Sequence, residues 1–200
     1  YPSEYGGAET DFLTSVVFQE ALSMSTFGGF IVTVLVHIDM PSPHLIDAST
    51  PEQIQTYMPR IISGELITAV GISESDAGSD VAGIRTTARR DGSDWVLNGS
   101  KMFITNGVHA DLYFIAAKTD LAAKGSRVIS MFLVEKGTPG FSVGRKLDKQ
   151  GWCSSDTAEL VFDECRLPAA NLLGEENRGF YAVMNNFQIE RIALGAMAIG

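Results

Sequence analysis

Arg90-Asp91-Gly92-Ser93-Asp94-Trp95-Val96-Leu97-Asn98-Gly99-Ser100-Lys101-Met102-Phe103-Ile104-Thr105-Asn106-Gly107 is the stretch that decides the fold. Asp91-Gly92 and Asn98-Gly99 are pairs that favour hairpins, because the central residues of those turns take positive φ. Read outward, Ile84–Arg90 pairs with Trp95–Leu97 across the first, and Trp95–Leu97 with Lys101–Thr105 across the second. Downstream, Leu112–Ala117 and Val128–Val134 are continuous apolar runs of the kind found in well-buried strands, and Phe141–Val143 and Ala158–Phe162 are further strands. Short strands separated by frequent turns predict an antiparallel β-barrel or sandwich, not a βαβ fold. The absence of a G-x-G-x-x-G stretch agrees.

The flanks are helical. Pro2–Gly7 is a loop, and Thr10 or Asp11 can cap a helix carrying Leu13, Val16, Val17 and Ala21. A short helical piece follows Pro41-Ser42-Pro43. Ser49-Thr50-Pro51-Glu52 then gives a cap with proline at the first helical position. That helix bears Ile54, Tyr57, Met58, Ile61 and Ile62, absorbs Pro59 as a kink and stops near Ser63-Gly64. From Asn177 the pattern is helical again. The fold class is α+β: part of an N-terminal helical domain (1–66), a middle β-domain (67–176) and the first helix of a C-terminal helical bundle (177–200). That last helix is still apolar at Gly200, so either the chain is a fragment or its helices pack on a partner.

With 45% hydrophobic and 20% charged residues over 200 positions, the composition is that of globular domains. The net charge of −9 lies in the first 85 residues, where eleven acids face only Arg60 and Arg85. Such a balance argues against nucleic-acid binding. Cys153 and Cys165 have no metal-ligand spacing and suggest a reduced, intracellular protein. No signal peptide is visible. Residues 21–38 lack Asp, Glu, Lys and Arg, but small and polar residues interrupt them, so buried helices broken at Gly28-Gly29 are favoured over a membrane span.

Two segments invite chemistry. Residues 70–80 and 98–107 each run from apolar residues into glycine and hydroxyl side chains, which lets backbone and hydroxyl groups approach a planar, phosphorylated ligand. Taken singly, each is also an ordinary turn. Phe103 and Thr105, alternating with Ile104, would share one face. In the last helix, Phe180, Val183, Phe187, Leu194 and Met197 form an apolar stripe in which Glu190 occupies the missing place. A carboxylate there is either a desolvated base with a raised pKa or one half of a buried ion pair with Arg191 or another cation.

The order of the pieces carries a resemblance. Pro2-x-Glu4-Tyr5-Gly6-Gly7, Ser73-Glu74-x-x-Ala77-Gly78-Ser79-Asp80, Leu97-Asn98-Gly99-x-Lys101-x-Phe103-Ile104-Thr105-Asn106-Gly107, Gly137-x-x-Gly140-Phe141, Ser155-Asp156-Thr157 and Leu173-Gly174-Glu175-x-x-x-Gly179-Phe180 occur in one line. Together they resemble the acyl-CoA dehydrogenase family over nearly the whole chain. The Phe187-Gln188-Ile189-Glu190-Arg191 stretch is most similar to its long-chain and isovaleryl branch. The resemblance implies FAD held between the β-domain and the C-terminal helices. Val70, Ile72, Ser73, Gly78 and Ser79 would belong to the first flavin segment, and Phe103, Ile104 and Thr105 to the second. Ser79, Phe187, Gln188 and Arg191 would meet the acyl-CoA, and Glu190 would be the catalytic base. Two departures are visible: Ser73-Glu74-Ser75 stands where the family usually has Thr-Glu-Pro, and Phe103 where it usually has Trp.

The implied reaction is α,β-dehydrogenation of an acyl-CoA in fatty-acid β-oxidation, with electrons passed to an electron-transfer flavoprotein. The implied assembly is a homotetramer or dimer, in the bacterial cytoplasm or mitochondrial matrix. An acyl-CoA oxidase and a non-catalytic β-domain are the rival readings. A Ser/His/Asp hydrolase using His37, His44 or His109 lacks a nucleophile-elbow sequence.

Overall fold

The computed structural model describes every residue except 121, 124, 126 and 127. Four helices lead: α1 (Phe12–Ser23), α2 (Gly28–Asp39), α3 (Pro43–Ala48) and α4 (Pro51–Ile62). Asp11 caps α1 by accepting from the Thr14 N–H, and Thr50 with Gln53 forms a reciprocal capping box on α4. Strands follow as β1 (Thr68–Gly71), β2 (Thr87–Asp91), β3 (Asp94–Thr105), β4 (Leu112–Lys118), β5 (Ile129–Glu135), β6 (Phe141–Lys146), β7 (Thr157–Pro168) and β8 (Leu172–Leu173), and α5 (Gly179–Ile199) closes the chain. The helix–sheet–helix order agrees with the sequence reading.

The sheet runs β6-β7-β3-β2-β4-β5-β8, with β1 added beside β4. It is mixed rather than antiparallel throughout, because β1 pairs with β4 in parallel and β2 touches β4 in the same sense. Alternation along β4 divides two cores. Leu112, Phe114 and Ala116 face a cluster that includes Leu45, Met58, Ile61 and Val183 from the helices. Tyr113, Ile115 and Ala117 face a second one with Trp95, Phe132 and Leu160. Because β4 is covered on both sides it reads as one apolar run.

Asn98-Gly99 is not a hairpin turn. β3 continues unbroken through it, pairing with β7 on both sides, and the ladder shifts register between Leu97 and Gly99. Asn98 Nδ2 donates to Glu164 Oε1, and the Glu164 N–H donates back to Asn98 Oδ1, locking the two strands across the irregularity. Gly99 sits at φ 141°, and an added Cβ would lie 2.7 Å from the Thr86 Cα. The glycine therefore serves a bulge and a close backbone approach. At Asp91-Gly92 the β2–β3 hairpin does turn, through Gly92-Ser93 with Asp91 paired to Asp94.

Gly28-Gly29 likewise does not break a helix; it opens α2, and the break lies at 24–27. A Cβ on Gly29 would collide with Ser154 Oγ, so the glycine lets the 152–155 loop press on the helix. Gly28–Ala48 is long and apolar enough to cross a membrane by length and composition, yet 56% of its apolar 18-residue window is buried inside the fold. The apolar stripe expected on α5 is rotated. Its buried side is Gly179, Val183, Asn186, Glu190, Ala193 and Ala196, whereas Leu194 is exposed and Met197 half-buried. α5 packs along α1, with Gly200 against Glu20 and Ser23 where the two helices end.

Candidate flavin and proton-transfer site

The two glycine- and hydroxyl-rich segments are laced together by one buried polar network. Lys101 is fully buried, and its Nζ donates to Glu74 Oε1 at 2.7 Å and to the Ile72 carbonyl at 3.2 Å. Glu74 also accepts from the Arg85 N–H (2.6 Å), the Thr86 N–H (3.0 Å) and the Thr86 hydroxyl (2.6 Å). Burial raises the cost of the Glu74 carboxylate, but Lys101 and these donors outweigh it and hold the group below its ordinary range. A direct backbone bond, Met102 N–H to the Ser73 carbonyl at 2.9 Å, completes the lacing.

The same network presents Phe103. Lys101 and Ile104 are buried on either side of it, the β3–β7 register shifts between them, and Phe103 takes φ 64° with 65% of its surface exposed. A left-handed aromatic residue facing outward is a costly arrangement, of the kind kept at ligand sites. Ile72 and Ile104 have their side chains in the cores, so they can reach a ligand only through their backbones. Around them the hydroxyls of Ser73, Ser79 and Thr105 make no hydrogen bond to any described residue, and none is sealed from solvent. An added Cβ on Gly78 would meet nothing within 4 Å. Free hydroxyls, an open glycine turn and an exposed ring suit a flat, phosphate-bearing cofactor such as FAD. Val70, half-buried on β1, lies just before this turn.

Glu190 lies elsewhere, on α5. It is 8% exposed, and burial pushes its carboxyl up to about 7, against the pull of the Asn186 hydrogen bond and the Arg191 charge. The ion-pair alternative does not hold among the described residues. Arg191 instead lies over the Phe187 ring at 5.8 Å, while Asn186 Nδ2 donates to Glu190 Oε1 at 2.6 Å. Phe187 and Arg191 are thus beside the carboxylate. Gln188 is exposed, and two residues along a helix of 3.6 per turn place it on nearly the opposite side.

α2 joins the two halves. Thr33 and the Thr68 carbonyl region are tied by Asn106, whose Nδ2 donates to both Thr33 O and Thr68 O. His37 bonds Thr68 and Ile61, and Met40 O accepts from Asn186. His37 is therefore a structural tie and not a hydrolase base. Asp156, from the Ser155-Asp156-Thr157 motif, accepts from the Val108 N–H at 2.6 Å and so fixes the turn after β3. Sequence reasoning passed over Lys101 and Asn186. A lysine inside an apolar strand was a visible signal; Asn186 had none until its partner was known. Both cysteines are free, Cys165 buried and Cys153 exposed.

Comparison with known proteins agrees. A family model described as the acyl-CoA dehydrogenase N-terminal domain matches residues 1–65, and one described as the middle domain matches residues 69–165. The chain is 45% identical over 199 residues to the mouse long-chain specific acyl-CoA dehydrogenase, covering 98% of this chain and 45% of the relative. It is 42% identical over 200 residues to the isovaleryl-CoA dehydrogenase of Pongo abelii, covering all of this chain and 47% of the relative. The crystal structure of an acyl-CoA dehydrogenase from Geobacillus kaustophilus superposes with a TM-score of 0.93 at 46% identity, over 99% of this chain and 52% of that one. The chain spans about half the length of the curated relatives it matches. On these matches, and on the fold that carries them, the chain belongs to the acyl-CoA dehydrogenase family.

Proposed function

We propose that the protein carrying this chain dehydrogenates an acyl-CoA thioester to the trans-2-enoyl-CoA, with Glu190 as the base. The observation that carries the reading is a buried helix carboxylate whose pKa is lifted to about 7 and whose only described side-chain partner is a neutral amide. An α-proton beside a thioester is weakly acidic, and a base poised near neutrality is the one suited to remove it. FAD, when bound, supplies the hydride acceptor. Ser73, Gly78, Ser79, Phe103 and Thr105 are the residues that would hold it, with Val70, Ile72 and Ile104 contributing backbone. Ser79, Phe187 and Arg191 would orient the acyl-CoA; Gln188, facing away from Glu190 on α5, contributes at most from the outer side of the helix.

An electron-transfer flavoprotein as acceptor and a homo-oligomer as the working assembly belong to the same proposal, and family membership supports both. Rows of exposed apolar side chains on α1 and α2, including Leu13, Val17 and Phe30, offer surface for further helices or a second subunit. The test is anaerobic mixing of the FAD-loaded protein with isovaleryl-CoA and, separately, palmitoyl-CoA. Loss of the oxidised-flavin absorbance with either supports the reading. A protein that stays colourless after FAD addition supports the non-catalytic alternative, and stoichiometric peroxide in air with no transfer to the flavoprotein supports an oxidase.

A further inference from the structure

Asn186 bridges α2 and the proposed base. Its Nδ2 donates to the Met40 carbonyl at 2.6 Å and to Glu190 Oε1 at 2.6 Å, and the side chain is 2% exposed. Both partners are acceptors, so the amide can take only the orientation that aims its nitrogen at them, and Oδ1 is left buried without a partner. Leaving that oxygen buried and unsatisfied is a cost that packing alone would not justify where an apolar side chain fits. Glu190 Oε2, in contrast, has no partner among the described residues and is not sealed from solvent. One carboxylate oxygen is held and the other is open.

We propose that Asn186 is the positioning residue of the base: it fixes Glu190 through Oε1 so that Oε2 is the oxygen that receives the substrate proton. This rests on the assignment of Glu190 as base. In the step, the C–H bond at the thioester α-carbon breaks and its proton bonds to Oε2. The electron pair left on carbon becomes the new C=C bond as the β-hydrogen departs as hydride, for which FAD would be the acceptor. Oε1 accepts from Asn186 before and after the transfer, so the carboxyl need not reorient.

Other groups around α5 do not substitute for the amide. Arg191 on α5 and Asp39 on α2 act on Glu190 through charge, the first favouring its ionised form and the second opposing it. From α3, His44 is driven down to about 4 by burial and stays neutral, and Asp47 lines a cavity with Asp39 and Ile189. From α1, Gln19 is bound to Asp39, and Glu20 lies at the far end of α5 beside Gly200. On β5, Glu135 bonds Tyr57 at the strand end remote from Ser130, which meets Gly179.

The test is nuclear magnetic resonance of the folded protein with labelled Asn and Glu side chains. The Asn186 Nδ2 resonances are expected to titrate with the same midpoint as the Glu190 carboxyl, and Glu190→Gln abolishes that titration. In Asn186→Leu the Glu190 midpoint rises by about one pH unit, a tenfold gain in proton affinity. If Asn186→Leu loses the parent's circular dichroism, the amide titration in the parent decides alone. An Asn186 amide indifferent to pH across the Glu190 midpoint overturns the proposal. In turnover, Asn186→Leu is expected to lower kcat about tenfold with KM held, the pattern of lost transition-state positioning. A rise in KM alone contradicts it. If Glu190→Gln retains full dehydrogenation, the base assignment fails whatever the amide does, so the two failures are separable.

Discussion

Replacing Lys101 with Met removes the cation from the network that aligns the two cofactor segments. Breaking a buried pair by deleting one member costs about 3–5 kcal/mol, because the other charge stays behind unpaired. Here Glu74 retains three donors, from Arg85 and Thr86, so the loss falls near the lower end, about 3 kcal/mol. For a chain of this length each kcal/mol lowers the melting temperature by about 2–4 °C, which predicts a drop of about 6–12 °C. The Lys101→Met, Glu74→Leu double variant removes both charges, and its stability is expected to recover to within about 1–2 kcal/mol of the parent. Thermal unfolding of the cofactor-free protein by circular dichroism reads both numbers, and FAD titration reads the consequence at Ser73, whose carbonyl is held by Met102 next door. A Lys101→Met variant that melts with the parent and binds FAD equally well would refute the claim that this pair organises the site.

Other outcomes follow from the same contacts. The Glu190 pKa is raised in the folded state from an ordinary value near 4.5 to about 7, so its contribution to stability is full below 4.5 and is lost as pH rises through 7. Glu190→Gln should therefore be more stable than the parent by up to roughly 3 kcal/mol above neutrality and indistinguishable in acid, a difference that urea titrations at both pH values would measure. Thr50→Ala removes the capping box of α4 and should cost about 1 kcal/mol in the same titration. Gly140→Ala meets two obstacles, a φ of 81° and an added Cβ 2.5 Å from the Asp163 carbonyl oxygen. It should cost about 2–4 kcal/mol, and a neutral effect would show that the β6–β7 approach is looser than it looks.

How much of this was legible in the sequence differs by element. The α4 capping box was plain, because Thr50, Pro51 and Gln53 act within one turn. The strand runs at 112–117 and 128–134 were equally plain from their apolar continuity, and the strands observed are Leu112–Lys118 and Ile129–Glu135. Asn98-Gly99 misled because positive φ serves a bulge as well as a turn, and only pairing with β7 distinguishes the two. The parallel β1–β4 contact was invisible, since parallel partners are remote in sequence and leave no local turn signal. On α5, periodicity found Glu190, Val183 and the core-packed Phe180 and Phe187 but carried the stripe wrongly onto Leu194 and Met197. Asn186, Ala193 and Ala196 line its buried side, where close helix packing prefers small side chains to the larger Leu194. That segments 70–80 and 98–107 serve one site was implied by the family resemblance, since by composition each is also an ordinary turn; the lysine that joins them was not anticipated.

The central claim is that Glu190 removes the substrate α-proton. Glu190→Gln conserves size and keeps a polar group beside Asn186 while removing the base. Loaded with FAD and mixed anaerobically with isovaleryl-CoA or palmitoyl-CoA, whichever the parent reduces, the variant is predicted to retain its flavin and to lose flavin reduction by at least about a thousandfold, in the range typical for deletion of a general base. Reduction at the parental rate would contradict the account and move the base to another residue.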